Sequence, residues 1–317
     1  MRRILLIKTS SLGDVVHNLP VVSDIRDGLP GAAIDWVVEE AFAAIPRLHA
    51  GVSRVIPLAI RRWRREILRA STRSECRAFL SQLREHEYEA IIDTQGLLKS
   101  ALVTRFARGP RFGLDWKSSR EPLRLFYQRT FSVPWGQHAV ARNRSLAAQA
   151  LGHASAAPAS YGIQAPRCAF AWLPADGYAV LLHATSAAPK LWPENHWRDI
   201  SNHLFLNNII SVLPWGNTDE RARSERLARC MSNAVIAPAL ELDEMAALLA
   251  QAQVVVGLDT GLTHLAAALN VPTVGIYCAT DAAATGIYAC PRGVNVGGVG
   301  LSPTVQQVTA AIGQVMQ

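Results

Sequence analysis

Long apolar runs are missing from this sequence. No stretch approaches the roughly 18 to 20 apolar residues that cross a bilayer, so there is no candidate membrane-spanning helix. The opening apolar stretch runs only from Ile4 to Ile7 before Lys8 interrupts it. That is too short for the core of a secretion signal, and a cytoplasmic location is expected. The five cysteines, Cys76, Cys168, Cys230, Cys278 and Cys290, are scattered, with no C-x-x-C and no neighbouring histidine pair. This excludes a disulfide framework or a zinc site and predicts reduced, mostly buried thiols. Charged residues make up only 18% of the chain against 50% apolar, a globular composition and not a disordered one.

Familiar catalytic signatures are missing too. No G-x-G-x-x-G follows a strand, which argues against a nicotinamide or flavin enzyme, and there is no G-x-x-x-x-G-K-[ST] phosphate loop. Neither G-x-S-x-G nor H-E-x-x-H occurs. No D-x-D pair is present to hold a divalent cation against a diphosphate. Lysine and helix dipoles would then have to neutralise a leaving diphosphate, and no cofactor or metal is expected.

What is present is an asymmetric chain of 317 residues, long enough for two domains. Residues 1–160 hold 24 Lys+Arg against 14 Asp+Glu, whereas residues 161–317 hold 8 against 11. The first half should therefore meet a polyanion: nucleic acid, an anionic membrane surface or a phosphorylated substrate.

Short apolar strands alternate with helical patterns in both halves. R-I-L-L-I-K, A-I-D-W-V-V, R-V-I-P-L-A and Y-E-A-I-I-D read as strands in the first half, with a helix over residues 97–108. In the second half Y-A-V-L-L-H, N-I-I-S-V-L-P, N-A-V-I-A-P, V-V-V-G-L-D and T-V-G-I-Y alternate with helices near 194–206, 218–231, 242–251 and 261–269. Strands that are apolar throughout belong in a parallel sheet covered on both faces. An Ala-, Pro- and Gly-rich stretch at residues 152–177 reads as the linker. The expectation is two doubly wound α/β domains, residues 1–165 and 166–317, facing each other across a cleft, with the last helix packing back on the first domain.

Ligands of such sheets bind beyond the carboxyl ends of the strands, so those loops are the candidates. In V-V-V-G-L-D-T-G-L-T-H, Asp259 or Thr260 can cap a helix whose N–H groups at Gly261, Leu262 and Thr263 suit a pyrophosphate, with His264 one turn in. H-A-T-S-A-A-P-K adds Thr185, Ser186 and Lys190. L-P-W-G-N-T-D-E supplies Asp219 and Glu220, either of which could take ribose hydroxyls. In the first half, K-T-S-S-L-G-D sets Asp14 in a small-residue turn with Ser10, Ser11 and Gly13. An acid repels phosphate, so it makes sense where a ligand hydroxyl loses a proton. A-I-R-R-W-R-R-E clusters Arg61, Arg62, Arg64 and Arg65, with Arg69 and Arg73 beyond; Arg61 or Arg62 would share a helical face with Arg65. Lys99 and Arg120 follow further loops. Arginine clusters bind carboxylates and phosphates bidentately.

Taken in order, K-T-S-S-L-G-D-V-V-H-N-L-P, A-I-R-R-W-R-R, I-I-D-T-Q-G-L-L-K-S-A-L, L-P-W-G and D-T-G-L-T-H-L-A-A-A-L resemble the lipopolysaccharide heptosyltransferases over nearly the whole chain. The likeness is greatest to the type that adds the first heptose to the inner core. It implies a GT-B glycosyltransferase with two Rossmann-like domains, the first binding acceptor and the second donor. The donor implied is ADP-L-glycero-β-D-manno-heptose. The acceptor is a Kdo residue of Kdo2-lipid A at the cytoplasmic face of the inner membrane, and transfer inverts the anomeric centre without a metal. Carried over by motif, Asp14 is the base. Thr185, Ser186, Lys190, Glu220, Asp259, Thr260, Gly261 and His264 form the donor site, with Lys190 also meeting the charge on departing ADP. Ser10, Gly13, Arg61, Arg62, Arg64, Lys99 and Arg120 serve the acceptor. Ser186 stands where the family leads one to expect a second threonine, and C-A-T-D at residues 278–281 replaces G-P-T-D, although Thr280 and Asp281 remain.

Two rival readings differ in their requirements. A heptosyltransferase of the second type would meet a neutral heptose and need fewer cations than the arginine stretch offers. A non-catalytic module docking on an anionic surface would leave the Asp14 and Asp259 loops without purpose, and a nucleic-acid binder would need exposed aromatics among its cations, where only Trp63 is on offer.

Overall fold

The computed structural model describes residues 2–153, 157–173 and 177–317. Part of the expected linker, residues 154–156 and 174–176, lies outside the described residues. The chain forms two compact units, Met1–Ile163 and Gln164–Gln317, dividing two residues before the expected boundary.

The first unit is a parallel sheet of β1 (Arg3–Ile7), β2 (Ala33–Glu39), β3 (Val52–Leu58), β4 (Ala90–Asp93), β5 (Arg111–Leu114) and β6 (Arg129–Phe131), in the order β3-β2-β1-β4-β5-β6. The second is a parallel sheet of β7 (Tyr178–Leu182), β8 (Ile210–Leu213), β9 (Ala234–Ile236), β10 (Val254–Leu258), β11 (Thr273–Tyr277) and β12 (Gly293–Gly297), in the order β12-β11-β10-β7-β8-β9. Each unit thus sets its first strand beside its fourth, so the strand order reverses there. β2, β4, β7, β10 and β11 are buried along their whole length, because helices cover both faces. Of these, β7 and β10 carry no charged or hydroxyl-aliphatic residue, whereas β2 and β4 bury the acids Asp35, Glu39 and Asp93.

Several elements depart from expectation. β5, β6 and β12 (R-F-G-L, R-T-F and G-V-N-V-G) are too short or too glycine-rich to carry a pattern, and sequence reading passes over them. The helix expected over 97–108 spans only Leu98–Thr104. Beyond it the chain brings Gly109 against the backbone of Tyr88, where a Cβ would sit 2.2 Å from the Tyr88 carbonyl oxygen. The helix Val305–Val315 places Val308, Ala311, Ile312 and Val315 in the core of the second unit, among residues of β10, β11 and the helix Glu194–Leu206. None of the five cysteines is fully buried; Cys230 is exposed and the others are half-buried, because none lies in a strand: Cys76 is in the middle of the helix Ala70–Arg84 and the rest are outside helices and strands.

Candidate active site

Because β1 and β4 are neighbours, the loops after them meet. Gln95 turns its Oε1 to accept from the backbone N–H groups of Thr9 and Ser10 at 2.9 and 3.0 Å. Lys99 donates to the Ser10 hydroxyl at 2.7 Å. Asp93, buried at the end of β4, takes the N–H groups of Gln95 and Gly96 on Oδ1 and the Tyr127 hydroxyl on Oδ2. Burial pushes its carboxyl up, against those hydrogen bonds. Lys8 is buried beneath the loop and donates to the Thr94 carbonyl at 2.9 Å. Burial lowers its proton affinity, and the carboxylates of Asp14 and Asp93 oppose that.

Asp14 stands third in the helix Leu12–Val16, and Ser11, not Asp14, occupies the cap position. One oxygen, Oδ2, accepts both the Ser11 N–H at 2.7 Å and the Ser11 hydroxyl at 3.1 Å. The half-buried carboxylate keeps Oδ1 without a protein donor among the described residues. Gly13, also half-buried, lies in the same turn. Arg120 is exposed, yet close enough to Lys8 and Arg142 to disfavour a proton on each. Arg142 was not foreseen; its guanidinium lies 3.8 Å over the Trp135 ring and donates to the Ser118 carbonyl at 2.7 Å.

The arginine stretch is not one face of a helix, because the helix Ile60–Trp63 lasts a single turn. Arg62 places its fork on two acids, Nε and Nη2 on Glu40 at 3.1 and 2.9 Å and Nη1 on Glu75 at 3.1 Å. Its hydrogen bonds to Glu40, and then those to Glu75, hold its charge more firmly than usual. Trp63 is buried and donates to Glu75, so it offers no exposed aromatic surface. Arg61 and Arg64 are exposed. The Arg61 backbone N–H is held by Glu39, whose carboxyl burial pushes up against the pull of that bond and of Arg61.

In the second unit the neighbours are β7 and β10, and Asp259 is the hub of their loops. Its Oδ2 lies 2.6 Å from Lys190 Nζ and 2.7 Å from the Thr280 hydroxyl, and its Oδ1 lies 3.4 Å from His264 Nε2. Its backbone carbonyl takes the Thr185 hydroxyl at 3.4 Å. Burial alone would push the Asp259 carboxyl up. Hydrogen bonds from His264, Lys190 and Thr280 outweigh it and hold the group well below the usual carboxylate range. Asp259 therefore does not cap the following helix, Gly261–Ala268; Thr260 stands at the cap, with no side-chain bond to it. The Thr263 N–H is spent on the Thr260 carbonyl at 3.1 Å, which leaves the first-turn N–H groups of Gly261 and Leu262 for a ligand.

Beyond β8, Asn217 caps the helix Thr218–Ala228, and Glu220 takes the Gly216 N–H on Oε2 at 2.8 Å. One carboxylate oxygen is thus fixed and the other left for hydroxyl donors. Ser186 is exposed next to Thr185.

The structure thus gathers Thr185, Lys190, Asp259, Thr260, Gly261 and His264 in one place, and Ser10, Gly13, Asp14 and Lys99 in another. It ties Arg62 into a salt-bridge network instead of leaving it open. Gln95 and Thr280 were missed as organising residues. Both lay in strand-end loops already singled out, but only strand order shows what they touch.

A family model described as glycosyltransferase family 9 (heptosyltransferase) matches residues 76–311. Lipopolysaccharide heptosyltransferase 1 of Pseudomonas aeruginosa is 47% identical over 289 residues, covering 90% of this chain and 81% of the relative. The solved structure of Escherichia coli heptosyltransferase WaaC with ADP superposes with a TM-score of 0.90 at 41% identity, covering 99% of each chain. The same enzyme with ADP-2-deoxy-2-fluoro heptose gives a TM-score of 0.86 at 41% identity, covering 98% of this chain and 99% of that one.

Proposed function

The chain belongs to glycosyltransferase family 9, the heptosyltransferases, and with that as premise we propose how its residues move heptose in lipopolysaccharide core synthesis. The donor is ADP-L-glycero-β-D-manno-heptose, held by the second unit. The acceptor is a Kdo residue of Kdo2-lipid A, held by the first unit at the cytoplasmic face of the inner membrane. The observation that carries the donor assignment is the Lys190–Asp259 pair at 2.6 Å beside the open N–H groups of Gly261 and Leu262.

An ammonium has three donors, and one of those on Lys190 is spent on Asp259. That bond aims the other two, and diphosphate oxygens are the acceptors they suit. As the glycosidic bond to ADP breaks, negative charge grows on the diphosphate. Lys190 and the helix start at Gly261 meet it, an interaction strongest in the transition state. Glu220 accepts from the adenosine ribose through its unfixed oxygen. Thr280 and His264 hold Asp259 so that Lys190 does not wander.

In the first unit the acceptor hydroxyl gives its proton to Asp14 Oδ1 while its oxygen attacks the anomeric carbon. Oδ2, fixed by Ser11, keeps the carboxylate from rotating away. Lys99, Arg120, Arg61 and Arg64 face the Kdo carboxylate and lipid A phosphates, groups that need cations. Arg62 braces the segment through Glu40 and Glu75.

The test offers several nucleotide sugars with Kdo2-lipid A, and with an acceptor already carrying one heptose, then weighs the products. A single heptose gained from ADP-heptose by Kdo2-lipid A alone is the expected result. Preference for the heptosylated acceptor would instead mark the second type of enzyme.

A further inference from the structure

Between the helices Ile60–Trp63 and Ala70–Arg84, residues 65–69 form an exposed turn that the transfer chemistry leaves unexplained. Its backbone is built of consecutive tight turns, with Arg65 N–H to Arg62 O at 3.0 Å, Glu66 N–H to Trp63 O at 3.2 Å and Arg69 N–H to Glu66 O at 2.9 Å. Its base is pinned. Trp63 is buried edge-on to Phe79 at 5.7 Å and donates to Glu75 at 2.8 Å, while Arg62 clamps Glu40 and Glu75. At its tip two aliphatic side chains face water: Leu68 is 86% exposed and Ile67 55%.

A scattered exposed leucine needs no explanation. This pair is different in its surroundings. Arg65 in the turn, and Arg73 and Arg77 on the helix that follows it, are exposed and form no ion pair among the described residues. The acid within the turn, Glu66, is already neutralised by Arg69 at 3.0 Å. A pinned base, an exposed aliphatic pair and uncommitted arginines in and after the turn complement an anionic lipid surface, with guanidinium groups on the phosphates and the aliphatic pair below them. A free phosphate would match the arginines but gives no reason for two bare aliphatics at the apex, and the one-sign charge of the exposed arginines favours an anionic bilayer over a protein surface of mixed charge.

We propose that residues 65–69 are a membrane wedge, with Ile67 and Leu68 entering the acyl boundary of an anionic bilayer. The proposal rests on the reading of a lipid-linked acceptor and adds to it a contact with the bilayer itself, separate from acceptor recognition.

The full chain is sedimented with vesicles of phosphatidylglycerol and phosphatidylethanolamine, and with phosphatidylcholine alone, neither containing acceptor. Binding to the anionic vesicles should be at least about tenfold tighter. Ile67→Ser with Leu68→Ser should weaken it roughly 10- to 100-fold, the loss of two buried aliphatic side chains. Leu68→Trp should strengthen it. The double variant should transfer heptose to a water-soluble, acyl-free Kdo acceptor within about twofold of wild type, because neither residue belongs to the transfer site. Vesicle binding by the double variant equal to wild type overturns the wedge, and so does an equal loss of transfer to the soluble acceptor. A wild-type chain that binds anionic vesicles through this tip but transfers nothing to the soluble acceptor would sink the acceptor reading and leave the wedge standing.

Discussion

Lys190 Nζ lies 2.6 Å from Asp259 Oδ2, and the two residues come from loops 69 positions apart. In the proposed diphosphate site the lysine is assigned to the ligand and the acid to the lysine. The acid does not meet the ligand; it aims the cation. Lys190→Ala should therefore lower kcat/KM for the donor roughly 10- to 1,000-fold, with a fall in kcat as well as a rise in KM. Near-normal donor kinetics in that variant would remove Lys190 from the site.

The same pair sets a pH dependence of stability. The folded Asp259 carboxyl is held below its unfolded value. Its stabilising contribution is thus complete above the unfolded carboxylate range near pH 4, and it fades as pH falls from there through the lowered folded value. In Asp259→Asn that contribution is gone at every pH. The Tm gap between wild type and Asp259→Asn should be wider at pH 7 than at pH 3. A gap of constant size would mean that the carboxylate is not stabilised by its partners.

Asp14 is tested by the substitution that preserves its hydrogen bonds. Asn offers the same acceptor oxygen to the Ser11 N–H and hydroxyl but cannot take a proton. Asp14→Asn should fold with an unchanged Tm and bind donor normally, with kcat down roughly 10²- to 10⁴-fold. If kcat stays within about threefold of wild type, Asp14 only shapes the helix start.

Gln95 is a positioning residue for the acceptor loop. Gln95→Ala strips the acceptor from two backbone N–H groups, those of Thr9 and Ser10. It should destabilise the protein by about 1–3 kcal/mol and raise acceptor KM, while donor KM stays put. Gln95→Glu, which keeps the accepting oxygen, should restore acceptor KM. A shared rise in donor and acceptor KM would contradict a local role.

The arginines should divide into two kinds. Arg61→Ala and Arg64→Ala should raise acceptor KM, and the wild-type acceptor KM should rise with salt, since exposed charges are screened within about 8 to 10 Å at physiological ionic strength. Arg62→Ala should instead lower Tm, because it leaves Glu40 and Glu75 without their cation. Measuring Tm beside acceptor KM for all three separates bracing from binding, and an unchanged Tm in Arg62→Ala would return Arg62 to the acceptor group.

The fold was legible where its signal is local. β7 and β10 are built of apolar residues and glycine apart from the Tyr178 hydroxyl, and β2 and β11 are mostly so, and that is a property of the strand itself. The helix Glu194–Leu206 has the bounds its periodicity gives. β6, of three residues, and β12, with glycine at both ends, carry no such pattern, and their places are set by the sheet they extend.

The candidate site divides in the same way. Small residues, acids and cations at strand ends are visible in the chain, because a strand-to-helix turn must be chemically suited to its own geometry. Their partners are not visible. Gln95 meets Thr9 across 86 positions only because β4 lies beside β1. Asp259 gives up the helix cap for Lys190 and Thr280 only because β10 lies beside both β7 and β11. Arg62 pairs with Glu40 and Glu75 because the fold carries those acids to it. Periodicity and capping are decided within a few residues of backbone. The choice among competing hydrogen-bond partners is decided by strand order, and that is fixed only when helices bury both faces of each sheet.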